Sequence, residues 1–563
     1  MLIAYPIYLI RIFLVWLANI LKKGLRPPEY VTFTLHGSYP DLKTPPESIL
    51  QRRMIARAKS LQELADDFRT VSKDPRVKGI ILHLGKPELT LAQIQTLNSS
   101  IREIQSKNKE VIAWSTGYDS STYCLAAACN RVLLQEGGII YTLGFTNRQL
   151  YLKNALEHLG IELDVVQVSP YKSALERFVR SKMSEQVREM TEWLLDSYYS
   201  QFVKAIANGR NLGQDKVQEL IGQTPLYGEK ALDTGAVDGI INAEDLPSYL
   251  GEEKPARLAA WDECKKCFPR PLPPRPGRYI ALLRVQGNII DGKSRRSPSR
   301  PPVPAPFLFN DQTGDLSFVQ QARMALKDKR VKAVLLYIDS GGGSAAASEA
   351  ITAVLGKIAA RKPLVAMMSS IAGSGGYYVA TPAPYIIAQP ATLTGSIGVI
   401  AAKIVNAQLL DKLLLNRETI RRGQKELFGS PEELFNEEER KKALDFIFHV
   451  YELFIKRVAE SRALQAEAVK EVGGGKVWTG EQALSKGLVD ELGGLETALA
   501  ILHKEADLPE NVPLVEIPLP RQETAPLPTA AAWAEHALIN MANLKDGKAL
   551  LAGPLYFCQH LEK

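Results

Sequence analysis

The stretch Asp328-Lys-Arg-Val-Lys-Ala-Val-Leu-Leu-Tyr-Ile-Asp-Ser-Gly-Gly-Gly-Ser344 contains a short apolar run that ends in three consecutive glycines. Its β-branched and apolar residues predict a buried strand over Val331–Ile338. Ordering three glycines costs backbone entropy, so their presence after a strand needs a reason. Glycines let backbone N–H groups approach a ligand closely, as an oxyanion hole requires. A plain flexible turn is the alternative interpretation of this motif.

The start of this stretch has a counterpart earlier in the chain. Asp74-Pro-Arg-Val-Lys-Gly-Ile-Ile-Leu recurs 254 residues later as Asp328-Lys-Arg-Val-Lys-Ala-Val-Leu-Leu. Similarly, Gly228-Glu-Lys-Ala-Leu-Asp-Thr-Gly-Ala-Val-Asp238 recurs 252 residues later as Gly480-Glu-Gln-Ala-Leu-Ser-Lys-Gly-Leu-Val-Asp490. Two matches so far apart and nearly in register indicate duplication of a whole domain. In each copy β-branched runs alternate with helical patterns, which predicts an α/β fold with parallel strands.

Composition supports a multi-domain, mostly soluble protein. Of the 563 residues, 45% are hydrophobic and 23% are charged, which excludes a disordered, collagen-like or polytopic membrane chain. The net charge of +7 is spread over a long chain and does not indicate nucleic-acid binding. Cys264 and Cys267 have C-x-x-C spacing, but no second such pair and no nearby His completes four zinc ligands, so we expect no metal site there. No other cofactor is expected.

The repeat and the composition divide the chain into five predicted parts. These are a membrane anchor (1–27), an N-terminal domain (28–267), a Pro-rich linker (268–277), a C-terminal domain (278–519), and a low-complexity stretch with a C-terminal tail (520–563). The linker sequence, Phe268-Pro-Arg-Pro-Leu-Pro-Pro-Arg-Pro-Gly277, is typical of a semi-rigid spacer.

The first part of the chain is almost wholly apolar from Leu2 to Leu21. About 20 apolar residues suffice to cross a bilayer as a helix. Arg11 would be costly at the midplane, by roughly 2.5–3.5 kcal/mol, whereas it fits a helix lying in the membrane interface. We therefore expect a membrane anchor and leave open whether it spans the bilayer. The basic residues that follow it would keep the next domain in the cytoplasm if the positive-inside rule applied.

A second glycine-rich loop in the second copy encloses a serine. The predicted strand Leu364–Met368 leads into Ser369-Ser-Ile-Ala-Gly-Ser374-Gly-Gly-Tyr-Tyr378. A serine at such a strand-to-helix turn exposes its hydroxyl, and the next N–H can stabilise an oxyanion. Such a serine needs a proton acceptor, and none of the seven histidines lies in a motif-like setting. A lysine can serve if burial lowers its pKa towards neutrality.

Three segments of the second copy together resemble a known family. Ile338-Asp-Ser-Gly-Gly-Gly343, Ala372-Gly-Ser-Gly-Gly-Tyr-Tyr378 and Thr394-Gly-Ser-Ile-Gly-Val399 are similar, in order and spacing, to the signature of signal peptide peptidase A, also called protease IV. The tandem copies and the N-terminal helix resemble its long, two-domain form. One departure is visible, because the family usually has Ser-Pro-Gly-Gly where this chain has Ser340-Gly-Gly-Gly343.

This resemblance implies two tandem crotonase-like (Clp-protease-like) domains with an N-terminal membrane-anchor helix. It implies a serine endopeptidase with a Ser–Lys dyad that degrades signal peptides and other small hydrophobic peptides. It further implies a homotetramer at the bacterial inner membrane, with the catalytic domains on the periplasmic side. The alternatives are a crotonase-type acyl-CoA hydratase or isomerase, and a non-catalytic membrane scaffold.

The resemblance also assigns site residues. Ser374 would be the nucleophile, and the N–H groups of Gly375 and Gly342, with Gly343 as second choice, would bind the oxyanion. In the first copy, Pro170-Tyr-Lys172-Ser resembles the lysine motif of the family. Because serine and lysine come from adjacent domains in the family, Lys172 would be the general base.

The repeat offers a competing base. A shift of 253 residues from Lys172 leads to Lys425, so both copies keep a lysine at the equivalent place. Plain proximity along the chain would favour Lys425 as the partner of Ser374. The counterpart of Ser374 in the first copy is Ser120, which lacks the flanking glycines. The first copy is therefore predicted to have lost its nucleophile turn and to have kept its lysine.

Overall fold

The computed structural model describes residues 4–22, 24–43, 58–273, 277–295, 311–420, 422–423, 430–518 and 550–552. The chain divides into two compact units. The first contains Met1–Phe145 and Asp196–Gly277, and the second contains Thr146–Leu195 and Arg278–Lys563. The predicted N-terminal domain, 28–267, thus includes Thr146–Leu195, which the structure packs in the second unit.

The chain up to the Pro-rich linker contains eight described strands and eleven described α-helices. The strands are β1 (Tyr30–Ser38), β2 (Gly79–Glu88), β3 (Glu110–Tyr118), β4 (Arg131–Ile140), β5 (Glu162–Gln167), β6 (Leu226–Tyr227), β7 (Gly239–Ile240) and β8 (Leu258–Ala260). The helices are α1 (Ala4–Lys22), α2 (Leu61–Ser72), α3 (Leu91–Gln105), α4 (Ser120–Ala126), α5 (Lys153–Leu159), α6 (Glu176–Val179), α7 (Glu185–Arg210), α8 (Gln214–Gly222), α9 (Gly228–Asp233), α10 (Leu246–Leu250) and α11 (Trp261–Cys264).

The chain after the linker contains eleven described strands and eight described α-helices. The strands are β9 (Tyr279–Ile290), β10 (Gln312–Gly314), β11 (Val331–Ser344), β12 (Leu364–Gly373), β13 (Tyr385–Ala388), β14 (Leu393–Gly395), β15 (Ile400–Val405), β16 (Val477–Thr479), β17 (Glu491–Leu492), β18 (Leu514–Glu516) and β19 (Leu550–Ala552). The helices are α12 (Asp315–Lys327), α13 (Ala345–Ala359), α14 (Gly375–Tyr378), α15 (Ala407–Lys412), α16 (Glu437–Arg462), α17 (Ala466–Val472), α18 (Gly480–Ser485) and α19 (Leu495–Glu505).

The first unit is built on a sheet with the strand order β6-β4-β3-β2-β1-β8, and β7 also pairs with β4. Strands β1 to β4 and β8 are parallel to their neighbours, while β6 runs antiparallel to β4. The apolar residues of β2, including Ile80, Leu82 and Leu84, are buried in the core of this unit. The alternation of strands and helices predicted for the first copy is confirmed.

The second unit contains the larger sheet, in which β11 lies between β9 and β12 and is parallel to both. The predicted strand Val331–Ile338 is the first part of β11, and its apolar residues are buried. The register of the sheet places Gly373 opposite Gly395 and Ser340 opposite Ala372. The glycine segments at the carboxyl ends of β11, β12 and β14 therefore lie side by side.

The sequence Asn436-x-x-Glu439 forms a capping box, which predicts a helix that starts at Asn436. Apolar residues at helical spacing predict one buried face: Leu444, Ile447, Phe448, Tyr451, Phe454 and Val458. Helix α16 begins where this capping box predicts. Asn436 caps the helix, and its side chain accepts a hydrogen bond from the backbone N–H of Glu439, whose side chain bonds back to the cap. Ile447, Phe454 and other residues of the predicted apolar face are buried. Phe448 was also predicted on that face but is 44% exposed. One face of the helix therefore packs on the core, and that face is narrower than the apolar pattern indicates.

The same ion pair occurs in both copies. Arg210 Nη1 lies 2.6 Å from Asp238 Oδ2, and Arg462 Nη1 lies 2.8 Å from Asp490 Oδ2. Each arginine also donates to a backbone carbonyl in the turn before its aspartate. The two ion pairs are related by the same shift of 252 residues that relates the repeated sequences, so the duplicated segments fold alike and each contains its own ion pair.

Helix α1 covers most of the predicted anchor. Its Lys22 Nζ donates to Phe268 O at 2.7 Å, and Asn19 exchanges two hydrogen bonds with the backbone of Arg270. Large apolar side chains of this helix, such as Phe13 and Leu21, are exposed. Within the described part of the chain, we find no helix that combines the length and the apolar character needed to cross a bilayer.

Candidate functional site

Ser374 lies at the turn between β12 and α14, as predicted for a nucleophile. Its backbone has φ +55° and ψ −117°, a conformation that residues other than glycine rarely adopt. Its N–H donates to Gly395 O at 2.8 Å, and its carbonyl accepts from Tyr378 N–H at 2.8 Å. Holding a serine this way costs on the order of 1–3 kcal/mol, which the surrounding hydrogen bonds must offset. The strained turn follows the pattern of a nucleophile elbow.

The predicted oxyanion glycines pack against this turn. A Cβ placed on Gly375 would lie 3.1 Å from Gly342 Cα and 3.3 Å from Gly343 N. Gly342 and Gly343 have φ values of +107° and +153°, which favour glycine. The N–H of Gly342 donates to Ser340 Oγ at 3.1 Å. The close approach of the two loops therefore requires glycine, and the Gly342 N–H already has a partner.

Lys172 reaches Ser374 although 202 residues separate them in the chain. Lys172 lies in the turn after β5 and belongs to the second compact unit, like Ser374. Its Nζ is 2.7 Å from Ser374 Oγ, 2.8 Å from Ser396 O and 3.0 Å from Ser396 Oγ. The side chains of all three residues are buried, so the Ser374 hydroxyl is not exposed to solvent as the sequence of the turn predicted. The structure thus brings together two residues that the sequence assigned to different copies.

Burial lowers the pKa of Lys172 well below its usual value, because the ammonium form is poorly solvated there. A neutral amine has two N–H donors and one lone pair. Ser396 O can only accept, so it takes one N–H of Lys172, and Ser396 Oγ can take the other. The lone pair is then directed to the Ser374 hydroxyl. This arrangement can accept the hydroxyl proton of Ser374.

Close backbone packing holds the Lys172 turn in place. A Cβ on Gly475 would lie 2.5 Å from Lys172 Cα, so only glycine fits there. Ser169 Oγ donates to the carbonyl of Gly474, the neighbouring residue. These contacts join the turn after β5 to the loop that precedes β16.

Aromatic contacts reinforce the same attachment. The ring of Trp193 stacks on that of Trp478 with centroids 4.8 Å apart, and Trp193 Nε1 donates to Val477 O at 2.9 Å. Stacked aromatic pairs contribute about 0.5–1.5 kcal/mol beyond their burial. Helix α7, which contains Trp193, is therefore anchored to strand β16.

Backbone hydrogen bonds join strand β5, which precedes Lys172, to strand β15 of the second copy. It pairs antiparallel with β15, in a register from Gln167 opposite Ile400 to Glu162 opposite Val405. The buried carboxylate of Asp164 accepts from the Phe435 N–H at 2.6 Å and from the guanidinium of Arg440. The ladder fixes the position of β5, and so the position from which the following turn extends Lys172 towards Ser374.

Ser396 is a residue of the site whose role the sequence did not predict. It lies within the quoted segment Thr394–Val399, between two glycines, and its φ is +50°. The feature of the sequence that marks Ser396 is its position near two glycines after a strand, as for Ser374. This feature does not predict its hydrogen bond with Lys172, because the lysine lies far away in the sequence.

The first copy contains no comparable turn at Ser120. There, Asp119 is the helix cap and Ser120 is the first residue of α4, without the positive φ of Ser374. Ser120 Oγ donates to Gly144 O at 3.0 Å and accepts from Gly144 N–H at 3.0 Å. Its hydroxyl is therefore engaged by backbone, in agreement with a lost nucleophile.

Lys425, the competing base, lies outside the described residues. Cys264 and Cys267 are not in disulfides. Among the described residues, no group of three or more His, Cys, Asp or Glu side chains is placed to hold a metal ion.

Comparison with known proteins places these features in a family. The model of peptidase family S49 matches the chain twice, over residues 103–256 and 357–509. The chain is 31% identical to the chloroplastic serine protease SPPA of Arabidopsis thaliana over 510 residues, which cover 89% of this chain and 72% of that protein. It is 30% identical to Protease 4 of Salmonella typhi over 459 residues (78% and 71%). It is 27% identical to Protease 4 of Haemophilus influenzae over 485 residues (80% and 74%).

The strained serine turn beside paired glycine loops, in an α/β fold of the Clp-protease type, defines a serine-type peptidase. The chain belongs to peptidase family S49, with two tandem domains of that family. This membership decides against a crotonase-type acyl-CoA hydratase or isomerase. The resemblance stated from the sequence is confirmed.

Proposed function

We propose that the protein is a membrane-associated serine endopeptidase in which Ser374 is the nucleophile and Lys172 the general base. The observation that carries the proposal is the 2.7 Å contact between Lys172 Nζ and Ser374 Oγ. A buried lysine with a lowered pKa beside a strained serine has the properties that a catalytic dyad needs. In this dyad Ser396 is a positioning residue, since it acts through the amine.

The reaction begins with proton transfer. The neutral Lys172 amine takes the proton of Ser374 Oγ as the oxygen attacks the carbonyl carbon of the scissile peptide bond. The carbonyl π electrons move to the oxygen and form a tetrahedral oxyanion. The Lys172 ammonium then gives its proton to the leaving amine as the C–N bond breaks. Water then attacks the acyl carbon as the same amine takes its proton. The bond between the acyl carbon and Ser374 Oγ breaks, the Lys172 ammonium returns its proton to Oγ, and the carboxylic acid product leaves.

The oxyanion would be bound by backbone N–H groups. Gly375 follows the nucleophile and is the first candidate, and Gly343 and Gly342 are the candidates from the facing loop. Because the Gly342 N–H donates to Ser340 Oγ in this structure, we favour Gly343 as the second donor. Losing one such donor typically costs about 10²–10³-fold in kcat.

The substrate would bind as an extended peptide. Strand β19 of the chain itself pairs antiparallel with Gly342–Ser344 of β11. Its pairing supports the idea that this edge accepts an extended backbone beside the oxyanion loop. We propose that small hydrophobic peptides, signal peptides among them, bind along this edge in the place of β19, with small or aliphatic residues before the cleaved bond.

Helix α1 supports membrane association. Exposed apolar side chains on a helix followed by basic residues favour a position in the membrane interface. A site held near a membrane would meet hydrophobic segments at high local concentration. We propose in addition that the protein forms a homotetramer.

The test combines labelling and turnover in the purified full-length protein. Wild type should react with a fluorophosphonate probe and should cleave hydrophobic peptides from a peptide library. Ser374→Ala should lose both properties and keep its folding. Ser120→Ala is the matched control and should keep both. Full turnover by Ser374→Ala would refute the assignment of the nucleophile, and a clear preference for acidic peptides would refute the proposed substrates.

A further inference from the structure

The two cysteines of the C-x-x-C motif lie on one short helical turn of the first compact unit. Cys264 is the last residue of α11, and a 3₁₀ turn over Lys265–Cys267 continues from it. In a 3₁₀ turn, side chains three positions apart lie above one another. Cys264 and Cys267 both border one open cleft of about 270 Å³, which strand β8 also borders. The two thiols therefore share a space that a second molecule can enter.

The two thiols differ in their surroundings. Cys264 is only 5% exposed, and its Sγ lies 3.9 Å from the carbonyl oxygen of Trp261. Burial raises the pKa of Cys264 to about 11, because a thiolate is poorly solvated there. Cys267, in contrast, is partly exposed. An incoming reagent therefore meets Cys267 first.

Two cations lie near Cys267. Burial lowers the pKa of Lys22, and the charge of a Cys267 thiolate opposes that shift. The hydrogen bond to Asp74 raises the pKa of Arg76, and the same thiolate charge adds to the rise. Reactive cysteines typically lie partly exposed beside Lys or Arg side chains. Cys267 has this setting, whereas the buried Cys264 is placed to react second.

We propose that Cys264 and Cys267 form a redox-active dithiol, which a peptide or protein disulfide oxidises reversibly. The Cys267 thiolate attacks one sulfur of the oxidant, forms a mixed disulfide and releases one thiolate. Cys264 then loses its proton and attacks the Cys267 sulfur, which closes the internal disulfide and releases the second thiolate. The two protons of the cysteine thiols end on the two released thiols, so two thiols are oxidised and one disulfide is reduced. An external dithiol reverses both steps.

Closing this disulfide moves the residues that hold helix α1. Helical neighbours three positions apart have Cβ atoms about 5–6 Å apart, whereas a disulfide needs about 3.8 Å. The turn must therefore tighten by roughly 1–2 Å, and the strained disulfide is easily reduced. The carbonyl of the next residue, Phe268, accepts a hydrogen bond from Lys22, and the N–H of Arg270 donates to Asn19 Oδ1. Oxidation therefore loosens the attachment of α1.

Thiol–disulfide exchange with oxidised glutathione tests the site in the purified full-length protein. Cys558→Ser is the background, since Cys558 lies outside the described residues. Trypsin cuts after Lys265 and Lys266, so Cys264 and Cys267 stay together only when a disulfide joins their peptides. Mass spectrometry should detect the joined peptides after oxidation and lose them after dithiothreitol. Their absence at every ratio of oxidised to reduced glutathione would overturn the proposal.

Single variants test the order of the two steps. Cys264→Ser should keep a stable glutathione adduct on Cys267, because no second thiol displaces it. Cys267→Ser should react with glutathione on the order of tenfold more slowly, because its remaining thiol is buried. Cys124 and Cys129 are buried elsewhere in the same unit and are internal controls that should stay reduced. Equal rates in the two single variants would overturn the assigned order.

Hydrogen–deuterium exchange tests the link to α1. The N–H of Arg270 donates to Asn19 Oδ1 at 2.8 Å. In the oxidised protein the peptide that contains Arg270 should exchange roughly tenfold faster than in the reduced protein. Cys267→Ser, which cannot close the disulfide, is the matched control and should exchange alike with and without oxidant. Unchanged exchange in fully oxidised protein would overturn the link. Ser374 belongs to the other compact unit, so none of these readouts depends on the proposed dyad.

Discussion

Replacing Lys172 with methionine tests the proposed base directly. Methionine has a similar length and volume, so the buried space remains filled. It lacks the amine that lies 2.7 Å from Ser374 Oγ. A positioned base contributes roughly 10²–10⁴-fold to the rate, which corresponds to about 2.7–5.5 kcal/mol of activation free energy. We therefore expect kcat/KM to fall by at least about 10²-fold.

The pH dependence gives an independent readout. Only the neutral amine can accept the serine proton, so activity should rise with pH through the pKa of Lys172. Burial places that pKa well below the usual lysine value, so the rise should occur at lower pH than for an exposed lysine. Below this pKa the amine is protonated and activity is lost. The residual activity of Lys172→Met should lack this limb.

Two matched variants complete the experiment. Lys403→Met removes another fully buried lysine of the same unit, whose Nζ lies 4.2 Å from the centre of the Phe435 ring. It should retain the pH limb and most of the activity, since its amine contacts neither Ser374 nor Ser396. Lys425→Met removes the competing base. Loss of activity in Lys425→Met, with most activity kept in Lys172→Met, would refute the reasoning.

Two further variants test the packing of the Lys172 turn and the ion pair that both copies share. Gly475→Ala should lower kcat/KM for peptide cleavage by about 10²-fold, because the added Cβ would lie 2.5 Å from Lys172 Cα and displace the lysine. Gly487→Ala is the control, since its added Cβ meets open space at a similar φ. An equal loss of activity in both variants would attribute the effect to backbone strain alone. Arg462→Ala should lower the free energy of unfolding by about 3 kcal/mol, because Asp490 loses its partner in a partly buried ion pair. Urea denaturation measures that loss, and a change below about 1 kcal/mol would contradict it.

The elements that were predicted well depend on local pattern. The buried strand Val331–Ile338, the capping box at Asn436 and the serine turn at Ser374 each follow from residues close together in the chain. Apolar periodicity, helix capping and the conformational freedom of glycine act over a few residues, so their effects can be predicted from the sequence alone. Phe448 shows the limit, because helical spacing predicts a face but not how much of it the neighbouring elements cover.

The sequence by itself determined the duplication, the surviving serine turn and the presence of a lysine in each copy. Only the tertiary structure decided that Thr146–Leu195 packs in the unit of the second copy, and that Lys172 and Ser396 meet at Ser374. The physical reason is that these contacts join residues up to 224 positions apart. Their energies depend on burial and on packing, such as the close approach of Gly475 to Lys172, which no local pattern encodes.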